Sequence, residues 1–165
     1  MPFDVSTLER LDRMTGEREA RCTYPVFFKN AAGDLLFRYR DGSSGNGADL
    51  YNIYDHAART WRRMIETPLL DGEGERNGYA IEPTLGPDGR FHLVWMWRET
   101  PDCATNHTIS YARSRDFVQW ENSRGVPLKL PITLATGDVI DAAKPGQGLI
   151  NMTFNLGFDA HQRPV

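Results

Sequence analysis

The sequence predicts an all-β fold, a partial β-propeller of about two four-stranded antiparallel blades plus the start of a third. Three observations predict it. Short runs rich in β-branched and aromatic residues alternate with turn-forming clusters of Gly, Pro, Asn and Asp. The same order of runs occurs twice, and its landmarks keep step: Pro25 and Pro83, Gly33 and Gly89, Arg40 and Arg98, and Trp61 and Trp120 lie 58, 56, 58 and 59 residues apart. A third copy opens near residue 149 and runs out at Pro164-Val165, where its second strand should start.

Residues 1–21 read as a charged lead-in from a preceding blade, in which residues 6–14 suit one short helical turn or a loop. The first blade spans 22–66. Thr23-Tyr24-Pro25-Val26-Phe27-Phe28 is a strand, and Asn30-Ala31-Ala32-Gly33-Asp34 is the reversal after it. Strands at 35–40, 50–54 and 60–64 follow, the first two joined by a polar loop over 41–47. About 40 residues carry four strands, the size of one blade. The second blade spans 67–125, with strands at 79–85, 91–98 and 108–113 and a last one at 116–120; Gly86-Pro87-Asp88-Gly89 turns between the first two. Trp95 and Trp97 alternate with Met96, so they share one strand face and should pack between blades. Residues 126–165 hold a connection and the incomplete third blade, with a strand expected at 149–158. A ring closes to remove strand edges, so an open piece should be marginally stable or self-associate through its blade edges.

Composition narrows the partners. The net charge is −3, with no basic surplus to suit nucleic acid. The longest apolar runs fall far short of a membrane span. The first sixteen residues lack a basic start and an apolar stretch, so no export signal is read there and the compartment stays unassigned. Two cysteines, Cys22 and Cys103, are too few for a disulfide framework and are taken as free thiols. The glycines of Gly42-Ser43-Ser44-Gly45-Asn46-Gly47 are not a phosphate loop: no Lys-Ser/Thr follows them, and the next element is a strand.

Two turns carry a motif. Ser114-Arg115-Asp116-Phe117-Val118-Gln119-Trp120 resembles a shortened Asp-box of sialidase-like propeller blades, and Tyr54-Asp55-His56-Ala57-Ala58-Arg59-Thr60-Trp61 resembles a looser version. In such turns the Asp accepts local backbone N–H bonds while the Trp packs between sheets. A wider resemblance runs through Thr23 to Phe28, through Arg38-Tyr39-Arg40-Asp41-Gly42-Ser43-Ser44-Gly45-Asn46-Gly47, and through Trp95-Met96-Trp97-Arg98-Glu99-Thr100 to Asn106-His107 and Tyr111-Ala112-Arg113-Ser114. These stretches resemble the BNR-repeat-containing family that includes the ulvan lyases.

That resemblance implies a seven-bladed propeller acting on an acidic polysaccharide or oligosaccharide, secreted or periplasmic, that cleaves a uronic acid by β-elimination. The chemistry needs no cofactor. It needs a cation to offset the sugar carboxylate before the C5 proton becomes acidic enough to remove. Arg40 suits that task, because its guanidinium forms two parallel hydrogen bonds to a carboxylate and stays charged. Tyr24 matches the family's catalytic tyrosine in context and spacing, as acid or acid/base. Tyr79, Asn46 and Arg98 are the substrate-binding candidates. Against these roles stands plain packing of Tyr24 in the blade and pairing of Arg40 with Asp41.

The resemblance places catalytic histidines upstream of the tyrosine, yet no histidine precedes His56. The chain alone is therefore expected to lack lyase activity. His92, Cys103 and His107 offer three donors for a structural zinc or calcium, one short of a closed zinc site. Two alternatives remain: a non-catalytic carbohydrate-binding propeller, and a sialidase-like hydrolase using carboxylates among Glu82, Asp41 and Asp102.

Overall fold

The computed structural model describes residues 10–149 and 154–165. The structure is built of strands: β1 (Cys22–Lys29), β2 (Leu35–Ser43), β3 (Asn46–Asp55), β4 (Thr60–Arg63), β5 (Asn77–Ala80), β6 (Thr84–Leu85), β7 (Phe91–Arg98), β8 (Asn106–Ser114), β9 (Trp120–Glu121) and β10 (Asp138–Asp141). The one helical element given for the described residues is a 3-10 turn at Cys103–Thr105.

The first sheet runs β1-β2-β3-β4, antiparallel throughout. The second has the same four positions, but its outer two are each split. β5 and β6 both pair with β7, while β9 and β10 both pair with β8. The break between β5 and β6 falls at Pro83, which has no N–H for the ladder, so the single run read at 79–85 becomes two pieces.

Two expectations change in the connections. The loop read over 41–47 is mostly strand: β2 and β3 stay paired to Ser43↔Asn46, leaving a two-residue turn of Ser44 and Gly45. Gly45 has φ +75°, the left-handed region open to glycine, and a Cβ there would sit 2.9 Å from the Glu99 carbonyl oxygen. The tip of the first sheet thus rests on the loop after β7. The segment read as a plain connection after residue 126 contributes β10, and Ile132 is fully buried. Its amide donates to the Leu69 carbonyl, and its own carbonyl accepts from Asp71. The strand expected at 149–158 falls partly on residues 150–153, outside the described residues. Of its remainder, Phe158 forms a single bridge with Pro164. The helical turn considered at 6–14 likewise lies partly outside; residues 10–14 contain no helix.

The main core lies between the two sheets. Leu36 and Tyr51 come from the first, Leu93, Trp95 and Trp97 from the second, and Leu69, Leu70 and Ile132 from the connections. Trp95 and Trp97 are both fully buried, as their shared strand face predicts. Phe117 is the knot of this core. It is fully buried and packs on Phe28 (5.2 Å between ring centroids), Tyr51 (6.0 Å), Phe91 (4.5 Å) and Trp120 (5.8 Å), so it joins both sheets.

The local turn explains how Phe117 gets there. Ser114 Oγ donates to the Gln119 carbonyl (2.6 Å) and accepts from the Phe117 amide (2.9 Å), and Asp116 Oδ1 accepts from the amides of Val118 (2.9 Å) and Gln119 (2.8 Å). These bonds hold Phe117 at φ +62°, a conformation an aromatic residue rarely takes. In the first sheet Asp55 Oδ1 accepts from the amides of Ala57 and Ala58, each at 2.9 Å, and Trp61 packs against Phe27 and Phe37.

A polar clamp ties the end of β7 to β8 and to the loop before β5. Glu99 accepts from Arg76 Nε (3.1 Å) and bonds His107 Nε2 (2.7 Å). Burial pushes the Glu99 carboxyl up, but hydrogen bonds from Arg76 and His107 outweigh it and hold the pKa below its ordinary value. A carboxyl depressed in the folded state stabilises at pH above its unfolded value, about 4.3, and loses that contribution as the pH falls through the folded value.

Two outcomes follow. Phe117→Ala should cost about 3–5 kcal/mol in denaturant unfolding, because the cavity opens on both sheets at once; a cost under 1 kcal/mol would refute its role as the knot. Glu99→Gln should lower the midpoint of unfolding at pH 7 and have progressively less effect below about pH 4, in melts recorded across that range.

Candidate functional site

Leu36, Arg38 and Arg40 alternate along β2, so all three side chains face the second sheet. Burying two arginines there needs compensation. Asp49 on β3, only 3% exposed, supplies it to one: Arg38 Nε donates to both Asp49 oxygens at 3.0 and 2.8 Å. Arg38 Nη1 also reaches across to the carbonyls of Ala80 (3.3 Å) and Ile81 (3.2 Å), bridging the sheets. Burial pushes the Asp49 carboxyl up while the Arg38 charge opposes the rise.

Arg40 stands directly opposite Asp49 in the β2–β3 register, yet Asp49 is spent on Arg38. Arg40 is 7% exposed. Its Nε donates to Thr23 Oγ1 at 2.8 Å, and its Nη1 is buried without a hydrogen-bond partner among the described residues. The charge is met by aromatic faces: Arg40 Cζ lies 4.8 Å from the Tyr24 ring centroid and 5.3 Å from that of Tyr79. The two rings meet edge to face, 5.7 Å apart. Asp41, the alternative partner read from sequence, pairs instead with Arg18 (2.8 Å) and Arg21 (3.6 Å).

Tyr24 reaches this place through a β-bulge. Thr23 pairs with Arg40 and Val26 with Arg38, so Tyr24 and Pro25 together face one residue of β2. Tyr24 has φ +52°, and its side chain is the exposed member of the group, at 46%. Pro25 offers no N–H, so the irregularity costs the ladder no donor there.

These residues line a cavity of about 160 Å³ whose wall includes Tyr24, Arg40, Asn77, Tyr79 and Glu82. Gly47 on β3 makes room for it: a Cβ there would lie 2.7 Å from Arg40 Cδ and overlap the Asn77 side-chain oxygen.

Of the sequence candidates, Tyr24, Arg40, Tyr79 and Arg98 come together. Arg98 touches the Tyr79 ring, with its Cζ 4.3 Å from the centroid, and does not line the cavity. Asn46 stands exposed at the start of β3 and does not line it either. Thr23, Gly47 and Asn77 were missed. Thr23 was recoverable by folding the chain back on the turn at residues 30–34, which sets it across from Arg40, and Gly47 by folding it back on the turn after β2; Asn77 comes from a strand whose proximity to β2 no local pattern encodes.

The three donors read as a metal set do not converge. His92 Nδ1 bonds the Tyr111 hydroxyl and its Nε2 lies 3.0 Å from Asp88 Oδ1. His107 is held by Glu99 and Thr108, and Cys103 Sγ accepts from Arg98 at 3.2 Å. Among the described residues, no three His, Cys, Asp or Glu side chains are grouped to hold a metal ion. The physical reason is that each of the three has been taken by a separate local hydrogen-bond network. Cys22 and Cys103 are both exposed and unbridged.

Comparison with known proteins places this geometry. An ulvan lyase, long isoform, from Glaciecola sp. (strain KUL10) is 46% identical over 145 residues, covering 82% of this chain and 14% of that protein. One from Alteromonas sp. is 30% identical over 138 residues, 77% of this chain and 13% of that protein. The chain therefore spans about one seventh of the length of these relatives. Among solved structures, the polysaccharide lyase Uly1 superposes with a TM-score of 0.64 at 23% identity, over 78% of this chain and 29% of that one. A PL25 ulvan lyase bound to -[GlcA(1-4)Rha3S]- gives 0.58 at 18% identity, over 87% and 36%. Both share the all-β, propeller-like fold. The family model for BNR repeat-containing proteins matches residues 1–165, and the chain belongs to that family.

Proposed function

We propose that this chain supplies the carboxylate-binding part of a polysaccharide lyase site that cleaves a uronic-acid-containing polysaccharide by β-elimination. The observation that carries the reading is the buried Arg40 Nη1, charged and without a partner at a cavity wall. A buried guanidinium with a free N–H favours an anion, because leaving a charged donor unpaired away from water costs more than an ordinary hydrogen bond returns. The relatives are named ulvan lyases, and one solved neighbour holds a glucuronate-containing oligosaccharide.

In the proposed reaction Arg40 pairs with the uronate carboxylate at C5. A base takes the C5 proton, the electron pair forms the C4–C5 double bond, and the C4–O bond breaks. Tyr24, projecting from its bulge beside Arg40, gives a proton to the departing C4 oxygen. No histidine lines the cavity, so the base comes either from Tyr24 itself or from a group that meets this cavity in the assembled site. Carbohydrate binding without turnover is the second reading, favoured by that same lining; it keeps Arg40 in its role and removes Tyr24 from the chemistry.

Calorimetry on the chain with a short glucuronate-containing oligosaccharide should show binding that weakens about tenfold to a hundredfold in Arg40→Ala and falls with added salt. Arg40→Lys should recover only part of it, since the ammonium keeps the charge and loses the fork. Equal affinity in wild type and Arg40→Ala would remove the carboxylate role. In a protein that joins this chain to the family's upstream histidines, ultraviolet absorbance from the unsaturated product should rise with wild type and fail to rise with Tyr24→Phe; new reducing ends without that absorbance would indicate hydrolysis.

A further inference from the structure

Arg98 occupies the same place in the second copy that Arg40 holds in the first, 58 residues away, but its surroundings are opposite. It is 4% exposed, and all three of its nitrogens are engaged. Nε donates to Asn106 Oδ1 at 2.6 Å, Nη1 to the Tyr79 hydroxyl oxygen at 3.2 Å, and Nη2 to Cys103 Sγ at 3.2 Å. The Asn106 amide is fixed in turn, donating from Nδ2 to the Leu149 carbonyl at 3.0 Å. Three of its five N–H groups are used in this way, and the side chain is buried and off the cavity wall, so it is not placed to meet a sugar there. What it does hold is Tyr79, by the ring face and by the hydroxyl at once.

Tyr79 is 3% exposed, and Ser44 Oγ lies 2.7 Å from its hydroxyl. With Arg98 donating to the phenol oxygen and Ser44 beside it, the ring cannot swing without breaking two hydrogen bonds in a buried place. The other neighbour of that ring is Arg40. Rings and cations therefore alternate in one row, Tyr24, Arg40, Tyr79, Arg98, with only the Tyr24 end exposed.

We infer that Arg98 is a positioning residue for Arg40: it locks the Tyr79 ring, and the locked ring fixes where the free edge of the Arg40 guanidinium points. This inference rests on the carboxylate-binding role of Arg40 only for its effect on the ligand; the effect on Arg40 itself is separate and separately measurable. Arg98 makes no contact with substrate. Its contribution is the ordering of a long side chain before binding, which otherwise must be supplied when the ligand arrives.

The test combines side-chain NMR of the Arg40 Nε–H with calorimetry of the same glucuronate-containing oligosaccharide, on the full chain. Wild type should give a sharp Arg40 Nε–H resonance shifted from the solvent-exposed arginines. Arg98→Met should keep a folded spectrum, move or broaden that resonance, and weaken binding about tenfold, the scale of one lost buried cation–ring contact. In a Tyr79→Ala background the same Arg98→Met change should alter affinity by less than about twofold, because the lever has been removed; a merely structural arginine would weaken both backgrounds alike. Asn106→Ala, which frees Nε but keeps Arg98, is the second variant should Arg98→Met not fold, and it should broaden the Arg40 resonance in the same direction. An unmoved Arg40 resonance in the folded Arg98 or Asn106 variant overturns the inference. A moved resonance with no binding in any variant, wild type included, upholds the positioning and sinks the carboxylate reading instead.

Discussion

Everything at this site follows from a shortage: two arginines, Arg38 and Arg40, face the buried side of β2, and the buried carboxylate between them is given wholly to one. Asp49 turns both oxygens to Arg38 Nε, although Arg40 is its direct neighbour across the ladder. A charge removed from water must be met by something. For Arg40 that something is a threonine hydroxyl and two aromatic faces, which offset charge without consuming every N–H. A carboxylate in the same place would have formed a closed ion pair with nothing left over. The aromatic solution is the one that leaves a cation both buried and available.

The cost of that arrangement is visible in the backbone. Tyr24 reaches Arg40 only by an irregular step in β1 and a left-handed φ, a conformation worth of order 1–3 kcal/mol against an ordinary strand residue. The regular ladder on either side, from Val26↔Arg38 to Lys29↔Leu35 and again at Cys22↔Asp41, overdetermines the step and keeps it from relaxing. Gly47 makes the matching concession on β3, giving up a side chain so that the Arg40 stem and Asn77 can pass.

How much of this the sequence discloses depends on range. Strand β7 falls where its apolar run ends, residue for residue, because Phe91 to Arg98 is bounded by a turn and a polar loop that act locally. The pairing of Tyr24 with Arg40 was legible from family resemblance and from the hairpin register, both of which survive in one dimension. Phe117 was not. It sits in a turn, carries a left-handed φ, and is the most connected aromatic residue of the core, so both its position and its conformation argue for exposure until the Ser114 and Asp116 hydrogen bonds are drawn. The three metal donors stay apart for a different reason: residue type announces what a side chain could bind, but not which neighbour has already claimed it, as Tyr111 has for His92 and Glu99 for His107.

The two copies of the repeat show why equivalent residues need not share a function. Arg40 and Arg98 end the same stretch of the same strand, and the fold presents both to the inter-sheet space. What differs is the acceptor supply from the next strand and loop. In the second copy Asn106, Cys103 and the Tyr79 hydroxyl take all three nitrogens. In the first copy the residue opposite the arginine is Asp49, and both of its oxygens go to Arg38. Engagement at every nitrogen makes one arginine a strut, and a buried nitrogen without a partner makes the other a receptor. The strut is worth having only because the receptor exists: a lone buried guanidinium with free N–H groups would turn toward the nearest carbonyl, and it is the ring of Tyr79, held from behind, that leaves the free edge of Arg40 no such choice.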